Sequence, residues 1–376
     1  MADAAKASGL RNVVAGQSSI CSIDGARGVL AYRGIDIHAL AVHSCFEEVV
    51  FLLHRGQLPQ RSELTAFRWE LARERQLPEG VVALLRALPQ GTHPMTALRT
   101  AVSALGAFDR DADADDAASR ARTAARLTAQ MATLVAAIEA IRQGREPGPG
   151  DPGLSHAANF MYMLTGTPPS RRAERAMDVA LVLHADHEFN ASTFAARVAA
   201  STLADLHGAV SAALATLKGP LHGGANEAVM RMLEEVGDLD RAEAWVRQAL
   251  ASKRKIMGFG HAVYRTEDPR ATELRGLSRE MGDETGQRLW FDLSEKVEKI
   301  VTGEKGLFPN VDFYSASLYR ALGIPTDLFT PIFAVSRIAG WTAHILEQYA
   351  NNRLIRPRAD YAGPGYPQRF VPLEQR

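Results

Sequence analysis

The sequence predicts an all-α protein, and three observations lead to that fold class. Apolar residues recur three and four positions apart over long stretches, which is the spacing of one face of a helix. Alternation of β-branched residues, the usual sign of a strand, is almost absent after residue 35. Short turns rich in Gly and Pro separate the apolar stretches, and no self-similar repeat period is visible. A chain of 376 residues exceeds one ordinary hydrophobic core, so we expect two domains or one large domain with an excursion.

The elements can be predicted in chain order. Residues 10–35 alternate short apolar pieces with glycine turns and predict irregular chain or a small hairpin. An apolar patch over residues 46–53 begins the helical part. Ser62 is predicted to cap a helix that runs to Arg75, because its hydroxyl can accept a free N–H of the first turn. Another long helix follows residues 168–170 and runs into the segment LVLHADHE. The remaining helices are predicted over residues 95–108, 117–143, 193–217, 225–236, 239–251, 270–281, 284–302, 311–322 and 328–349.

Composition and charge exclude several classes of function. Lys and Arg number 43 and Asp and Glu also number 43, so nothing marks a protein that binds nucleic acid or an acidic membrane. No apolar run approaches the length that crosses a bilayer. Cys21 and Cys45 are the only cysteines, and the N-terminus lacks the apolar core of a signal peptide. We therefore expect a protein of the reducing cytoplasm, with no nucleic-acid or membrane partner.

Residues 255–271, KIMGFGHAVYRTEDPRA, have the composition of a binding site. Gly258 and Gly260 allow the backbone to approach a ligand closely. His261 can move a proton near neutral pH, and Arg270 can hold a carboxylate or a phosphate. A glycine turn closed by a capping histidine is the alternative, and for an isolated G-x-G it is the more common outcome.

His222 lies in KGPLHGGANE, directly before two glycines and at a predicted helix start. Backbone N–H groups and the helix dipole concentrate positive potential there and favour a neutral imidazole. A neutral imidazole can donate a hydrogen bond to a developing enolate, as an electrophilic catalyst must. A histidine that merely closes a turn is an equally good interpretation of this segment alone.

His184 and His187 are three residues apart in HADHEFNAST, with Glu188 beside them. Zinc binding is the first hypothesis, but the helical metalloprotease pattern H-E-x-x-H is missing and no third ligand follows at a suitable spacing. We therefore expect no metal. A polar ligand contact by one histidine and a buried structural bond by the other fit the segment better.

Asp312 is preceded and followed by apolar residues in FPNVDFYSASLYRALGIP. An aspartate at a helix start is most often a cap. Apolar surroundings, however, remove solvent from the carboxylate and make it a stronger base, which proton abstraction beside a carbonyl requires.

Together these segments resemble the citrate synthase family, from about residue 9 to residue 363. The resemblance implies an α-helical two-domain fold in a homodimer, with the smaller domain closing over a cleft. The large helical domain would comprise residues 1–221 and 330–376, and the small CoA-binding domain residues 222–329. The segments that carry the resemblance occur in the family's order and approximate spacing: SIDGARGVLAYRGI, ADHEFNAST, GPLHGGANE, GFGHAVYRTEDPRA, NVDFYSA, FAVSRIAGW and RLIRPRADYAG.

The resemblance also implies roles for individual residues. The implied catalytic residues are His222, His261 and Asp312. The implied ligands of oxaloacetate, a dicarboxylic 2-oxo acid, are His187, Arg270, Arg337 and Arg356, the last supplied by the partner subunit. Guanidinium groups suit this task because they bind carboxylates bidentately. The residues expected to contact coenzyme A are Arg254, Lys255, Ile256, Met257, Gly258, Phe259 and Gly260, with exposed backbone of 256–260 against the adenine and the first two side chains near the phosphates.

The implied reaction joins acetyl-CoA to oxaloacetate and, with water, gives citrate and CoA. Asp312 would remove a proton from the acetyl methyl, His222 would stabilise the enol or enolate, and His261 would protonate the carbonyl oxygen that becomes the citrate hydroxyl. The coenzyme A thioester is a co-substrate, and no permanently bound cofactor is expected. Because the chain begins shortly before the family's core, we expect the short dimeric type, without the N-terminal domain that larger bacterial members use for NADH inhibition.

Three alternatives stay open. A 2-methylcitrate synthase would use propionyl-CoA with the same catalytic residues, alone or as a dual-specificity enzyme, although the methyl that propionyl-CoA adds at the reacting carbon favours acetyl-CoA. A family-derived helical binding protein could have lost catalysis, but all three implied catalytic residues are present. A zinc hydrolase built on HADHE is the third.

Overall fold

Helices account for most of the chain. The structure, a computed structural model, describes residues 13–376 and has sixteen α-helices and three short strands in that range, which confirms the predicted all-α class. The helices are α1 Ile37–His43, α2 Phe46–Arg55, α3 Arg61–Arg73, α4 Glu79–Ala87, α5 Pro94–Phe108, α6 Ala117–Arg142, α7 His156–Thr165, α8 Arg171–His184, α9 Ala191–Ser201, α10 Leu206–Leu217, α11 Ala225–Val236, α12 Leu239–Ala251, α13 Pro269–Thr285, α14 Arg288–Lys305, α15 Val311–Ala321 and α16 Phe329–Ala350. The strands are β1 Cys21–Asp24, β2 Val29–Tyr32 and β3 Ile35–Asp36, and single 3₁₀ turns lie at Thr326–Leu328 and Leu373–Gln375.

The strands form one small antiparallel sheet in the order β1-β2-β3. Cys21 is paired with Tyr32 and Asp24 with Val29, so a short turn joins β1 to β2. The predicted hairpin is therefore confirmed over the part of residues 10–35 that the structure describes; residues 10–12 lie outside it. The Tyr32 hydroxyl donates to the Asp186 carbonyl at 3.0 Å, which fixes the sheet against the segment after α8.

The core is centred on the long helices α6 and α16, which pack against each other. Trp341 of α16 is fully buried and is the largest such side chain. Among the described residues, α6 is the one helix that is long and apolar enough to cross a bilayer, but 89% of its apolar window is buried inside the protein. This burial is that of a central packing helix, and α3, α5 and α7 cover it.

The predicted helix over residues 193–217 is wrong in one respect, because two helices occupy that range. Leu203 has a φ of 64°, in the left-handed region that no helix continues through, and α9 ends just before it. The Asp205 side chain then accepts the Gly208 N–H at 2.8 Å and caps α10. The alanine-rich composition of residues 193–217 favours helix throughout and therefore does not indicate this break.

The predicted cap at Ser62 is also wrong. Helix α3 begins at Arg61, with Gln60 in the capping position two residues before Ser62. The Glu63 carboxylate accepts the Gln60 N–H at 2.8 Å, so the acidic residue three positions along closes the first turn. Helices α4 and α7 were not predicted from the sequence at all.

Helices α11 to α15 pack mainly among themselves, with α12 against α14 and α13 against α14 and α15. Helix α13 also contacts α1 and α8, and α11 contacts α16. The group α11–α15 therefore packs against other helices of the protein through α11 and α13. The chain enters the group before α11 and leaves it before α16. The division into domains at residues 222 and 329 stays a prediction; the packing is compatible with it.

Candidate active site

The His222 ring sits in the turn between α10 and α11. Its Nε2 lies 2.8 Å from the Ser192 hydroxyl and 3.3 Å from the Ser192 N–H. Because that N–H can only donate, Nε2 presents a lone pair and we assign the ring proton to Nδ1, which has no partner among residues 13–376. The Trp341 indole N–H donates to the Ser192 hydroxyl at 3.1 Å and holds it in place.

The pKa of His222 is lowered to about 4, first by burial and then by the positive charge of Arg337. The ring is therefore neutral near pH 7, as the sequence predicted, but the cause differs. Helix α11 starts at Ala225 with Gly224 as its cap, so the histidine precedes the helix and desolvation replaces the expected helix dipole as the main cause.

His261 follows a turn that only glycine accommodates well. Gly258 and Gly260 have φ values of 80° and 78°. The His261 Nδ1 accepts the N–H groups of Val263 and Tyr264, at 3.0 and 3.2 Å, so the ring proton is on Nε2. Burial lowers the pKa of His261 to about 4, and the nearby Arg270 contributes in the same direction. The ring is thus a neutral hydrogen-bond donor.

Asp312 lies in the first turn of α15, but it is not the cap of that helix. Asn310 caps α15, and its side-chain oxygen accepts the Asp312 N–H at 3.1 Å. The Asp312 Oδ1 is buried and has no hydrogen-bond partner among the described residues. Burial raises the pKa of Asp312 to about 7, although the charges of Arg270 and Arg337 act in the opposite direction. The carboxylate is therefore a base with one oxygen free to take a proton.

Two buried arginines lie close enough to these groups to shift their pKa values. Arg270 forms a bidentate ion pair with Asp268, in which its Nε and Nη2 donate at 2.9 and 2.7 Å. Asp268 also accepts the Val311 N–H at 3.2 Å and so connects the arginine to the start of α15. Burial disfavours the charged guanidinium, but the Asp268 carboxylate outweighs this and raises the pKa of Arg270 above its ordinary value.

Arg337 is 2% exposed and, among residues 13–376, has no carboxylate within ion-pair distance. Its Nε donates to the His184 carbonyl at 2.6 Å, and its guanidinium lies 4.5 Å from the centre of the Phe333 ring. Burial lowers the pKa of Arg337 to about 10, the buried Asp186 carboxylate acts in the opposite direction, and the positive Arg270 adds to the lowering. A buried cation without an ion-pair partner is costly, so this residue favours an anionic ligand.

His187 is buried beside the proposed proton donor. Its ring centre is 5.1 Å from that of His261, and its Nε2 is 3.2 Å from the Tyr264 hydroxyl. Burial and the charge of Arg270 lower the pKa of His187 well below its ordinary value. The neighbouring His184 instead bonds the Ala180 carbonyl through Nδ1 at 2.8 Å. The two histidines of HADHE therefore have separate partners, and no group of three or more His, Cys, Asp or Glu side chains within residues 13–376 is placed to hold a metal.

The structure does not bring Arg356 into this site. The residue is exposed on the C-terminal segment after α16, and it makes no hydrogen bond or ion pair within the described chain. That Arg356 serves the partner subunit, as the family resemblance implies, stays a prediction.

The expected contacts of coenzyme A need a partial correction. Ile256, Gly258 and Phe259 are buried, not exposed. The Gly258 carbonyl accepts the Asn310 N–H at 2.9 Å, and the Gly260 N–H donates to the Phe308 carbonyl at 2.9 Å. Pairing with the strand-like segment 308–310 thus already uses part of the backbone of 256–260. Met257 and Gly260 are half-buried, and Lys255 is exposed.

Arg254 is already engaged, which the sequence did not predict. Both of its terminal nitrogens donate to the Glu235 carboxylate, at 2.7 and 2.6 Å, and its guanidinium lies 5.0 Å from the Trp245 ring centre. The pair is on the surface, where solvent and salt screen such contacts and they contribute little to stability.

Sequence reasoning missed three residues that position the site: Ser192, Tyr264 and Asp268. The sequence does indicate a structural role for one of them. Asp268 directly precedes Pro269, and the pair Asp-Pro is typical of a helix start. Nothing in the pattern placed Ser192 beside His222 or Tyr264 beside His187, since these contacts join residues 30 and 77 positions apart.

Comparisons with known proteins show the family of this chain. The family model "Citrate synthase, C-terminal domain" matches residues 9–358. The chain is 50% identical to "Citrate synthase 2" of Bacillus subtilis over 98% of both chains, and 40% identical to a 2-methylcitrate synthase of Shewanella oneidensis over 100% of both. The citrate synthase structure from Pyrobaculum aerophilum has a TM-score of 0.92 at 42% identity, covering 98% of this chain and 95% of that one. A ternary complex of Thermoplasma acidophilum citrate synthase with carboxymethyl coenzyme A and oxaloacetate has a TM-score of 0.92 at 32% identity, covering 98% and 99%. This chain therefore belongs to the citrate synthase family.

Proposed function

We propose that the protein is a citrate synthase that condenses acetyl-CoA with oxaloacetate and water to citrate and CoA. The observation that carries this proposal is Asp312, a carboxylate whose pKa is raised to about 7 and whose Oδ1 is unbonded. It shares the neighbouring charge of Arg337 with the neutral His222 and that of Arg270 with the neutral His261. Such a base can remove a weakly acidic proton beside a thioester carbonyl. The neutral rings can donate hydrogen bonds without first losing a charge.

The proposed mechanism assigns one step to each group. Asp312 takes a proton from the acetyl methyl while the Nδ1–H of His222 hydrogen-bonds the thioester oxygen, which stabilises the enol or enolate. The new carbon nucleophile attacks the keto carbon of oxaloacetate. The Nε2–H of His261 protonates the keto oxygen, which becomes the citrate hydroxyl. Water then cleaves the thioester of citryl-CoA and releases citrate and CoA. The proton that Asp312 took returns to the His261 ring, so both groups regain their starting forms.

Arg270, Arg337 and His187 form the proposed oxaloacetate site. Arg337 supplies an unpaired buried charge for one carboxylate. Arg270 is held in a fixed orientation by Asp268 and has one terminal nitrogen, Nη1, left over from that ion pair. Two guanidinium groups match the two carboxylates of the substrate.

Release of a free thiol tests the activity directly. Purified protein mixed with acetyl-CoA and oxaloacetate should release CoA, and omission of either substrate should abolish release. His222→Ala is the matched control, because it removes one proposed catalytic group and leaves the arginines in place. Oxaloacetate binding without thiol release by the unmodified protein would instead support a helical binding protein.

Propionyl-CoA is the second candidate acyl donor, since 2-methylcitrate synthases are among the relatives of this chain. One methylene changes binding in a pocket by only about 1 to 3 kcal/mol, or roughly 10- to 200-fold, so some propionyl-CoA activity is expected. The added methyl crowds the carbon that Asp312 must reach, near the buried rings of Phe313 and Tyr314. We propose a preference for acetyl-CoA. A higher kcat/KM for propionyl-CoA at saturating oxaloacetate would reassign the protein as a 2-methylcitrate synthase.

We also propose that CoA lies along residues 254–260. Lys255 is exposed and free to meet a phosphate, and Arg254 can exchange its surface carboxylate partner Glu235 for one. The backbone groups of Met257 are the candidates for the adenine, because the Gly260 N–H is bonded to the Phe308 carbonyl and the Gly260 carbonyl to the Asn310 side chain. Lys255→Ala should raise the KM for acetyl-CoA and leave the affinity for oxaloacetate unchanged.

A homodimer is the proposed assembly. Residues 351–376 form an extended segment that exposes several large apolar side chains. These are Leu354, Tyr361, Tyr366, Phe370 and Leu373. An apolar arm of this kind fits docking on a second copy, which would bring Arg356 to the partner's oxaloacetate. The unpaired Cys21 and Cys45 are compatible with the proposed cytoplasmic location.

A further inference from the structure

The turn that carries His222 is held from two sides. The Gly223 N–H donates to the Leu217 carbonyl at 2.9 Å, at the end of α10. On the other side, the Thr330 hydroxyl lies 3.1 Å from the Gly223 carbonyl. A side chain at position 223 has no room, because its Cβ would lie 2.5 Å from the Leu217 carbonyl oxygen. Gly223, the residue after His222, therefore has both its N–H and its carbonyl held by contacts with neighbouring elements.

Thr330 belongs to the helix that holds the oxaloacetate-binding arginine. It lies in the first turn of α16 and is 2% exposed. Arg337 follows seven residues later, about two helical turns along. The same helix reaches His222 a second time, through Trp341 and the Ser192 hydroxyl. One rigid element thus sets the position of the proposed oxaloacetate ligand relative to the group that activates the thioester.

The Thr330 hydroxyl has a second acceptor, Glu227. This residue lies in the first turn of α11 and is 7% exposed, and its Oε1 is within hydrogen-bond distance of the hydroxyl. Its Oε2 is 3.9 Å from His93 Nε2 and 3.6 Å from an Arg231 nitrogen. A hydroxyl has one proton, so Thr330 donates to Gly223 or to Glu227 at any moment. Either bond ties the start of α16 to the segment that runs from the His222 turn into α11.

We infer that Thr330 is a positioning residue for His222, an inference that rests on the proposed role of His222 in the reaction. Without the hydroxyl, the Gly223 carbonyl loses its contact with α16, and the histidine turn is held only by α10 and Ser192. Displacement of a catalytic group by about 1 Å can lower a rate by roughly 10²-fold. The loss should appear in the chemical step and not in the binding of oxaloacetate, because Arg337 is held by its own contacts with His184 and Phe333, about two helical turns from Thr330.

Thr330→Val tests the inference, because it removes the hydroxyl and keeps the shape. We expect kcat to fall by about tenfold to 10²-fold while the Kd for oxaloacetate, measured by calorimetry, stays within about twofold. Thr330→Ser keeps a hydroxyl and should restore most of kcat. If the valine is not accommodated, Thr330→Ala is the smaller substitute. The matched control is Thr128→Val in α6, where the fully buried hydroxyl donates to the Ala124 carbonyl at 2.8 Å, far along the chain from the site.

A second background separates this inference from the proposed role of His222. In a His222→Ala protein, adding Thr330→Val should reduce the residual kcat no further, since Thr330 acts through the histidine. An equal further loss there would mean a general structural effect and would overturn the inference. Parental kcat in Thr330→Val, with His222→Ala inactive, would overturn it and leave the role of His222 intact. Parental kcat in His222→Ala would overturn the role of His222 and, with it, the inference.

Discussion

At the scale of single residues, the fold prepares the site by changing which side chains carry charge. Burial makes Asp312 a stronger base and keeps His222 and His261 neutral. It also leaves Arg337 buried with no ion-pair partner among the described residues. This buried cation thus has no ion-pair partner until a dianionic substrate binds. The reacting groups have the protonation states that the proposed chemistry needs.

The Asp312→Asn substitution should separate binding from chemistry. An amide of nearly the same shape cannot accept the acetyl proton, and a general base typically contributes about 10²- to 10⁴-fold. We expect kcat to fall by at least that lower factor while the Kd for oxaloacetate is retained. Turnover within about tenfold of the parent would show that another group is the base.

The pH dependence of kcat/KM for acetyl-CoA should report Asp312. Its pKa is raised to about 7, and only its ionised form can take a proton, so kcat/KM should fall as the pH drops below about 7 and level off above it. The two histidines titrate near pH 4 and should not interfere in this range. A flat profile between about pH 5 and pH 8 would contradict the assignment.

Thermal stability gives a second readout of the same carboxyl. Its pKa in the folded protein is raised above the ordinary 3.8, so its contribution to stability is fully present below about pH 4 and is lost as the pH rises through about 7. An amide at this position does not titrate and has no such loss, so Asp312→Asn should raise Tm relative to the parent more at pH 8 than at pH 5. An equal Tm difference at both pH values would mean that the carboxyl is not shifted in the folded state.

At the scale of elements, much of the helix pattern could be predicted from the sequence. Helices α11 and α12 begin and end where the apolar spacing placed them, because glycines and an aspartate mark their ends. The break between α9 and α10 could not, since Leu203 has no intrinsic preference for its left-handed conformation and Asp205 is one of many aspartates. The positions of the catalytic segments in the chain were clear, but their mutual distances depend on tertiary contacts such as Ser192 with His222.

Packing explains why glycine occupies position 258, in the turn that precedes His261. A Cβ on Gly258 would lie 2.8 Å from both Phe313 and Val229, and its φ is 80°. Gly258→Ala should therefore lower Tm and displace His261, with a loss of kcat. The matched control is Gly56→Ala at the end of α2, where φ is 83° and the space is open. The control has only the backbone penalty of about 1 to 2 kcal/mol and should keep parental kcat. Equal effects of the two substitutions would show that the crowding at position 258 is relieved without cost.

At the scale of the whole molecule, the oxaloacetate site lacks one group that the family resemblance implies. Arg270 and Arg337 come from α13 and α16, whereas Arg356 is exposed on the segment that follows α16. The side chains along this segment include apolar groups that water solvates poorly. A second copy that covers the segment would bury these groups and complete the anion site in one step, so binding and assembly would be coupled.

Mixing two inactive proteins tests this assembly. Arg356→Ala and His222→Ala should each be nearly inactive alone. In a mixed dimer, the subunit that retains His222 receives Arg356 from its partner, so one of the two sites is complete and thiol release should reappear. The other site lacks both groups, so a mixed dimer can reach at most half of the parental activity. If Arg356 instead serves its own subunit, neither site of a mixed dimer is complete. Activity that stays at the level of the separate variants, after native mass spectrometry has shown subunit exchange, would therefore establish that the arginine acts within its own chain.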